Sequence, residues 1–439
     1  MLSVLKNRTY RHLFLAQMIA LLGTGLGTIA LGLLAFELAG ENAGEVLGTA
    51  LAIKMLAYVF IAPVAGAFAA VLPRRKMLVT LDLVRAGVVV LLPFVSEVWH
   101  VYVLIFALQS ASAAFTPTFQ ATIPDVLPDE RAFTKALSLS RLAYDLENIV
   151  SPALAALLLT LVTFNALFVG TAAGFAVSAA LVLSVGLPPA PAAKRRSIFE
   201  RTMRGLRIYV RTPRLRGLFA VNLAVASAGA LVIVNTVVYV QGRFALSESE
   251  TALSFGAFGL GSMLAALAMP WLLERINDRT PILSGAAVLG IGAGAAVFVV
   301  SYPLLLCIWF VIGTGTSMAL TPSARLLKRS AHDEDRPALF AAQFALSHLC
   351  WLATYPIAGW IGSTLGLDQA ALVLAVFAWL GLGFAIFLWP REDDAALEHV
   401  HSDLAPDHPH LNTGERHAAD RHAHSYVIDD LHHMWPHGR

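Results

Sequence analysis

Charge is scarce in this sequence. Asp, Glu, Lys and Arg make up 14% of 439 residues and hydrophobic residues 57%, with a mean hydropathy of +0.68. A soluble domain carries about 25% charged and about 45–50% apolar residues, so a water-soluble enzyme is excluded. Cysteine is nearly missing too. Cys307 and Cys350 both fall inside apolar runs, which rules out a disulfide framework. No G-x-x-x-x-G-K-[ST] loop occurs, so no P-loop serves ATP-driven work and energy must come from an ion gradient, most simply protons. The glycine series Gly256-Gly259-Gly261 and Gly290-Gly292-Gly294 lie within apolar runs, where they serve close helix packing.

What the chain has instead is apolar runs of membrane length. A helical span needs about 20 residues, and lipid offers the backbone no partner, so the spans must be helices. Twelve runs are predicted, at 12–38, 46–72, 77–95, 101–123, 137–160, 164–187, 217–241, 250–273, 282–301, 303–326, 338–364 and 368–389. The first is too long for a signal peptide, whose apolar region is about 7–15 residues. The net charge of +2 matters less than its distribution. Arg74, Arg75, Lys76, Arg131, Lys135, Arg275, Arg279, Lys328, Arg329 and Arg336 occupy one set of alternate loops, and the other set holds Arg243 alone. Lys and Arg mark cytoplasmic loops, so both termini are expected in the cytoplasm.

Two six-span halves, 1–187 and 217–390, flank a basic segment at 188–216. Within that segment Ile198, Phe199, Met203, Leu206 and Val210 recur at helical spacing among arginines. This pattern predicts an amphipathic helix on an anionic lipid surface, with no nucleic-acid partner. The halves also repeat each other. Thr116-Pro117 recurs as Thr321-Pro322, Pro152 as Pro356, and Gly66 through Arg75 as Pro270 through Arg279, at offsets of 205, 204 and 204.

With these landmarks the chain resembles the major facilitator superfamily over about residues 8–390. That family's loop between spans two and three reads G-x-x-x-D-R-x-G-R-R. Gly66, Arg74 and Arg75 match it, whereas Ala70 and Val71 replace its acid and first arginine. The second half keeps an acid–base pair as Glu274-Arg275, and Asp82 and Arg85 fit the start of span three. The resemblance implies an all-α membrane protein of two rocking bundles around a central site. It gives Asp82, Arg85, Arg74, Arg75, Glu274 and Arg275 to the cytoplasmic gate.

Ionisable residues inside spans are functional candidates, because burying them in lipid is costly. In span five, Ser140, Tyr144, Glu147 and Ser151 form one helical stripe and Arg141, Asp145, Asn148 and Pro152 the next. Arg141 and Asp145, four apart, are either a structural ion pair or part of the pathway. Glu147 has no local partner and is the stronger candidate proton carrier. In span eleven, Gln343, Ser347, Cys350 and Thr354 lie beside a stripe of Phe344, His348, Trp351 and Tyr355. A shift of 203 residues sets His348 and Cys350 at the depths of Asp145 and Glu147, and they are either metal donors or inert core residues. Lys54 in span two is a candidate counter-ion for one of the carboxylates.

Beyond Pro390 the composition changes, and residues 391–439 hold ten of the fourteen histidines. His399/His401, His408/His410 and His422/His424 form H-x-H pairs, and His417, His432 and His433 complete the candidate metal ligands. Imidazole suits Ni, Cu, Zn and Co. Tyr426-Val427-Ile428 and Met434-Trp435 are candidates to dock on the bundle. With this tail the chain resembles the nickel and cobalt resistance exporters of the superfamily. That implies proton-coupled export of Ni²⁺, with Co²⁺ second, across a bacterial inner membrane by a monomer that needs no cofactor beyond tail-bound metal. A drug or siderophore exporter, or a metal sensor that transports nothing, are the alternatives.

Overall fold

The computed structural model describes residues 2–39, 43–69, 71–188, 197–391, 397–400, 410, 415–416 and 421–436. Six long helices form the first half: α1 (Arg8–Ala39), α2 (Ala43–Ala69), α3 (Arg74–Leu91), α4 (Val98–Val126), α5 (Glu130–Leu159) and α6 (Phe164–Leu183). The amphipathic helix α7 (Ile198–Arg211) joins them to α8 (Pro213–Val237), α9 (Glu248–Leu272), α10 (Arg279–Ala295), α11 (Tyr302–Leu320), the short α12 (Ser323–Lys328), α13 (Arg336–Thr364) and α14 (Leu367–Leu388). Eleven of the twelve long helices hold an apolar stretch of membrane length. The twelfth, α5, has 30 residues, which at about 1.5 Å per residue exceeds a hydrocarbon core of about 30 Å. The membrane part is thus all-α, a multi-pass protein of twelve spans in two bundles, as expected.

Local chemistry moves several boundaries from the predicted ones. Helix α5 starts at Glu130 because Asp129 caps it, accepting from Ala132 N at 2.8 Å. Ser197 caps α7 through Glu200 N at 3.2 Å. Pro213, which lacks the N–H that would continue α7, opens α8 at its first position. The second bundle therefore begins at 213, and Arg214 and Arg216 belong to its first turn. Pro189 to Arg196 of the basic segment lie outside the described residues. Helix α7 has two faces: Phe199 and Val210 are exposed, while Arg204, Ile208 and Tyr209 are buried against α2 and α13.

Tight helix crossings stiffen the second bundle. A Cβ on Gly261 of α9 would lie 2.0 Å from the Phe310 carbonyl of α11, and one on Gly313 of α11 1.9 Å from the Phe258 carbonyl. Small residues allow such approaches where lipid supplies no hydrophobic drive. The two bundles meet along α2–α13 and α5–α9. Gly66 lets α2 close on Ala341, and Arg141 Nε of α5 donates to Ser262 Oγ of α9 at 3.0 Å.

The tail adds a three-stranded antiparallel sheet, β1 (Leu397–Val400), β2 (Glu415–Arg416) and β3 (Arg421–His424), ordered β1-β3-β2. Tyr426 and Ile428 are buried and continue the core of the second bundle, with Trp435 packed against it. Met434, by contrast, is exposed.

Candidate functional site

Midway along the spans, four helices of the first bundle converge with α13. Glu147 of α5 and Lys54 of α2 lie within electrostatic range of each other. A Cβ on Gly25 of α1 would lie 2.3 Å from the Ser151 side chain and 3.1 Å from Glu147 Oε1, so that glycine lets α5 close on α1 beside the carboxylate. Lys54 Nζ also sits 5.6 Å from the centre of the Tyr58 ring, within cation–π range. The Tyr58 hydroxyl donates to Gln109 Oε1 of α4 at 3.0 Å, and its ring meets His348 of α13 edge-on at 4.7 Å. His348 Nδ1 donates to the Phe344 carbonyl at 2.7 Å, so in the neutral ring Nε2 keeps the lone pair. Ser140 of α5 donates to Gln17 of α1 at 3.2 Å beside them. One carboxylate, one ammonium and one imidazole thus sit together where the bundles meet. The Asp145 side chain lies outside the described residues.

Cys350 is not part of this cluster. It is buried, and Thr354, four residues on, donates to the Ala226 carbonyl of α8 at 3.2 Å, so that stripe of α13 faces the second bundle. The stripe of Phe344 and His348 faces the first bundle instead. Of the two candidate donors of this span only His348 reaches the cluster, because residues two apart diverge by about 200° around a helix.

At the end that carries α7 and the tail, charges tie the bundles together. Arg74 pairs with Asp125 of α4, and Arg336 of α13 reaches the same carboxylate at 3.3 Å. Arg325 of α12 bonds Glu130 of α5 at 2.6 Å, Arg131 approaches Glu274 at 3.7 Å, and Lys328 donates to the Pro128 carbonyl at 3.0 Å. Asp278 holds Arg325 at 3.3 Å and Arg329 at 3.5 Å. Residues 74 and 278, and 125 and 329, differ by 204, so the repeated halves carry the same pair with its charges exchanged. Arg75 instead donates to the Leu183 carbonyl, and Arg275 stacks on Trp271 at 3.9 Å.

Asp82 and Arg85 take no part in that closure. They pair with each other inside the first bundle, Ser178 of α6 donates to Asp82 at 2.8 Å, and Arg85 lies 4.1 Å from the Phe115 ring and 4.4 Å from Phe175. They fasten α3 to α4 and α6.

Beyond the gate the tail histidines gather at one point. Strand pairing sets His399 of β1 opposite His422 of β3, and His424, two residues on, shares that face. For His422 and His424 the H-x-H spacing is therefore a strand signature. One ligand nitrogen from each of His399, His410, His422 and His424 lies within 4.8 Å of the others. His410 Nε2 is 3.3 Å from His422 Nε2 and 3.2 Å from His424 Nε2, and His432 Nε2 is 3.1 Å from His399 Nε2. The outward nitrogens are held by oxygen: His399 Nδ1 by the Leu397 carbonyl at 3.0 Å, His424 Nδ1 by the Ser425 carbonyl at 2.9 Å, and His432 Nδ1 by Asp429 at 2.9 Å. Asp429 also bonds His332, in the loop before α13, at 3.2 Å. His433 offers its backbone carbonyl to Arg211. His401, His408 and His417 lie outside the described residues.

Burial pushes His399 down to about 4, and burial lowers His424 as well. Protonation therefore favours the undocked tail, so metal-free docking is full above about 6.5 and is lost as pH falls toward about 4. His332, raised by its bond to Asp429, acts in the opposite sense, and its contribution is lost as pH rises through its raised value. Hydrogen exchange across residues 421–436, corrected for intrinsic rates, should accelerate in acid. Protection unchanged down to pH 4 contradicts this.

Sequence reading missed Tyr58, Asp125, Glu130, Asp278, Arg325 and Asp429. The offset of 204 was a usable signal for Asp125 and Asp278. Nothing local marks Tyr58 or Asp429, since their partners are remote in sequence.

Two repeated six-helix bundles, a charged site between them and an ion-paired closure at one end define a solute transporter. The chain belongs to the Major Facilitator Superfamily, whose family model matches residues 13–242 and 217–411. It is similar to the uncharacterized MFS-type transporter YvqJ of Bacillus subtilis (strain 168), 24% identical over 87% of this chain and 92% of that protein. It is also similar to macrolide efflux protein A of Enterococcus faecalis, 30% identical over 32% of this chain and 47% of that one. Among solved structures, a bacterial homologue of the iron transporter ferroportin in its outward-facing state superposes with a TM-score of 0.73 at 15% identity, covering 87% of this chain and 99% of that one. The human organic anion transporter MFSD10 gives 0.72 at 14%, covering 86% and 99%.

Proposed function

We propose that this transporter exports a divalent transition-metal cation, Ni²⁺ or Co²⁺, from the cytoplasm across a bacterial inner membrane in exchange for protons. The observation that carries the reading is the gathering of five imidazoles on the face where the bundles are tied together. That face also bears Arg74, Arg75, Lys76, Arg325, Lys328, Arg329 and Arg336, the charge excess of a cytoplasmic surface. Mid-membrane, Glu147 is the group for which a cation, a proton and Lys54 compete, and His348 Nε2 is a second donor for a borderline metal. Cation arrival releases Lys54 from the carboxylate, and protonation from outside expels the cation.

A second reading, export of an apolar drug, is favoured by the similarity to macrolide efflux protein A. Accumulation assays in cells with and without the protein separate the two. Metal export lowers cellular nickel or cobalt and raises tolerance to them. Resistance to macrolides or apolar dyes, with metal content unchanged, replaces the first reading by the second.

A further inference from the structure

Helix α7 lies against two membrane spans at once, α2 of the first bundle and α13 of the second. A Cβ on Gly66 of α2 would come 2.5 Å from the Ala341 side chain of α13, and one on Gly205 of α7 would come 2.0 Å from the Ala338 carbonyl. Gly66 stands in the last turn of α2 and Ala338 in the first turn of α13. These contacts fix the depth of α7 where both spans leave the bilayer. One turn on, the Tyr209 hydroxyl donates to Gln343 Oε1 of α13. Arg204 holds Asp335 at 3.0 Å, and Ile208 and Tyr209 are buried. The inner face of α7 thus covers the α2–α13 seam from the side.

The outer face is apolar with a basic edge. At 100° per residue, Phe199, Met203, Leu206 and Val210 fall within a sector of about 60°. Phe199, Met203 and Val210 are exposed, Phe199 to 76%. With Leu206 they line a shallow groove of about 430 Å³ whose edge carries Glu200, Arg207 and Arg211. On the neighbouring α2, Phe60, Val64 and Phe68 are exposed at a spacing of four, the stripe of a lipid-facing span.

The arginines of this segment divide by task. Arg204 and Arg214 turn inward, Arg214 donating to Ser330 at 2.8 Å. Arg207 and Arg211 stay exposed beside the groove. Arg211 gives one N–H to the His433 carbonyl at 2.8 Å, a neutral acceptor that leaves its charge in place. Glu200, the single acid of α7, sits in its first turn, where the helix dipole favours it. An apolar strip at the bilayer edge with two guanidinium groups beside it complements a phospholipid, acyl chain on the strip and phosphate at the arginines.

We propose that an anionic phospholipid of the cytoplasmic leaflet binds the outer face of α7 at Phe199, Met203, Val210, Arg207 and Arg211, and that its binding holds the α2–α13 seam closed. Parting of the bundles at this end separates Gly66 from Ala341, and α7 then keeps its fit on only one of the two spans. A lipid that holds α7 across both favours the closed arrangement by its differential affinity, whichever cargo is moved.

The test uses the full chain in nanodiscs of phosphatidylcholine alone and of phosphatidylcholine mixed with phosphatidylglycerol. Hydrogen exchange across residues 198–211 and 336–343 should slow in the mixed nanodiscs, and added salt should reverse much of the difference by screening the arginines. Spin labels at Phe199→Cys and Val210→Cys, on a Cys307→Ser background, should be more accessible to oxygen than to chromium oxalate. Arg207→Gln should need about fivefold more phosphatidylglycerol for the same protection, the share of one arginine at an anionic surface. Lys76→Gln, an exposed basic residue of α3, should leave that requirement unchanged. An equal shift from Lys76→Gln assigns the effect to general surface charge and overturns the site. Labels at 199 and 210 that favour chromium oxalate in both nanodiscs put this face in water, where a soluble partner and not lipid would cover it, and overturn the proposal as well. Wild-type exchange across 336–343 that is indifferent to phosphatidylglycerol overturns the hold on the seam, and that measurement needs no variant to fold.

Discussion

Glu147→Gln is expected to reduce coupled export to background while the protein still inserts and folds. Glutamine keeps the shape beside Gly25, where the carboxylate oxygen occupies the space a Cβ would crowd, so packing of α1 on α5 is retained. What it removes is the negative charge of the carboxylate that acts on Lys54. An amide neither binds nor releases a proton, so the exchange of cargo for proton loses its carrier. Lys54 is then left without that counter-ion, and its charge repels any cation entering the site. Lys54→Gln acts at the other step: cargo still binds, but only the proton is left to compete it off the carboxylate, so apparent KM and maximal rate fall together. Export in everted vesicles, driven by an imposed pH gradient, measures both. Wild-type export by Glu147→Gln would remove this carboxylate from the mechanism.

The second large effect concerns stability. Asp82→Ala leaves the Arg85 guanidinium buried between Phe115 and Phe175 without its carboxylate, and leaves Ser178 without its acceptor. Breaking a buried pair costs about 3–5 kcal/mol, whereas replacing both partners by apolar groups is often neutral. The single variant should melt far below wild type in detergent, and Asp82→Leu with Arg85→Met should recover much of the loss. At the gate, Arg131 and Glu274 are 77% and 47% exposed at 3.7 Å, and such a pair contributes about 0–1 kcal/mol. Arg131→Ala is the matching control. A wild-type melting point for Asp82→Ala would show that the pair does not fasten α3 to α4 and α6.

Composition and period determined the membrane class, the twelve spans, the two halves and the amphipathic linker, because lipid admits only apolar helices of fixed length and a duplicated unit repeats its prolines at a constant offset. The residue types of the sites were legible for the same reason: charge inside a span and histidine in a tail are both conspicuous. Which of them meet was not legible. Lys54 was legible as a counter-ion but not which carboxylate of span five it serves, Asp82 and Arg85 turned inward instead of toward the end where the bundles are tied, and Cys350 diverged from His348 by two residues of helical twist. Only strand pairing brings His399 to His422, and only the docking of Tyr426 and Ile428 on the second bundle sets Asp429 against His332. Sequence periodicity reports which face of an element is apolar. The partner that a polar group finds depends on packing between elements remote along the chain, and that is decided by the tertiary structure.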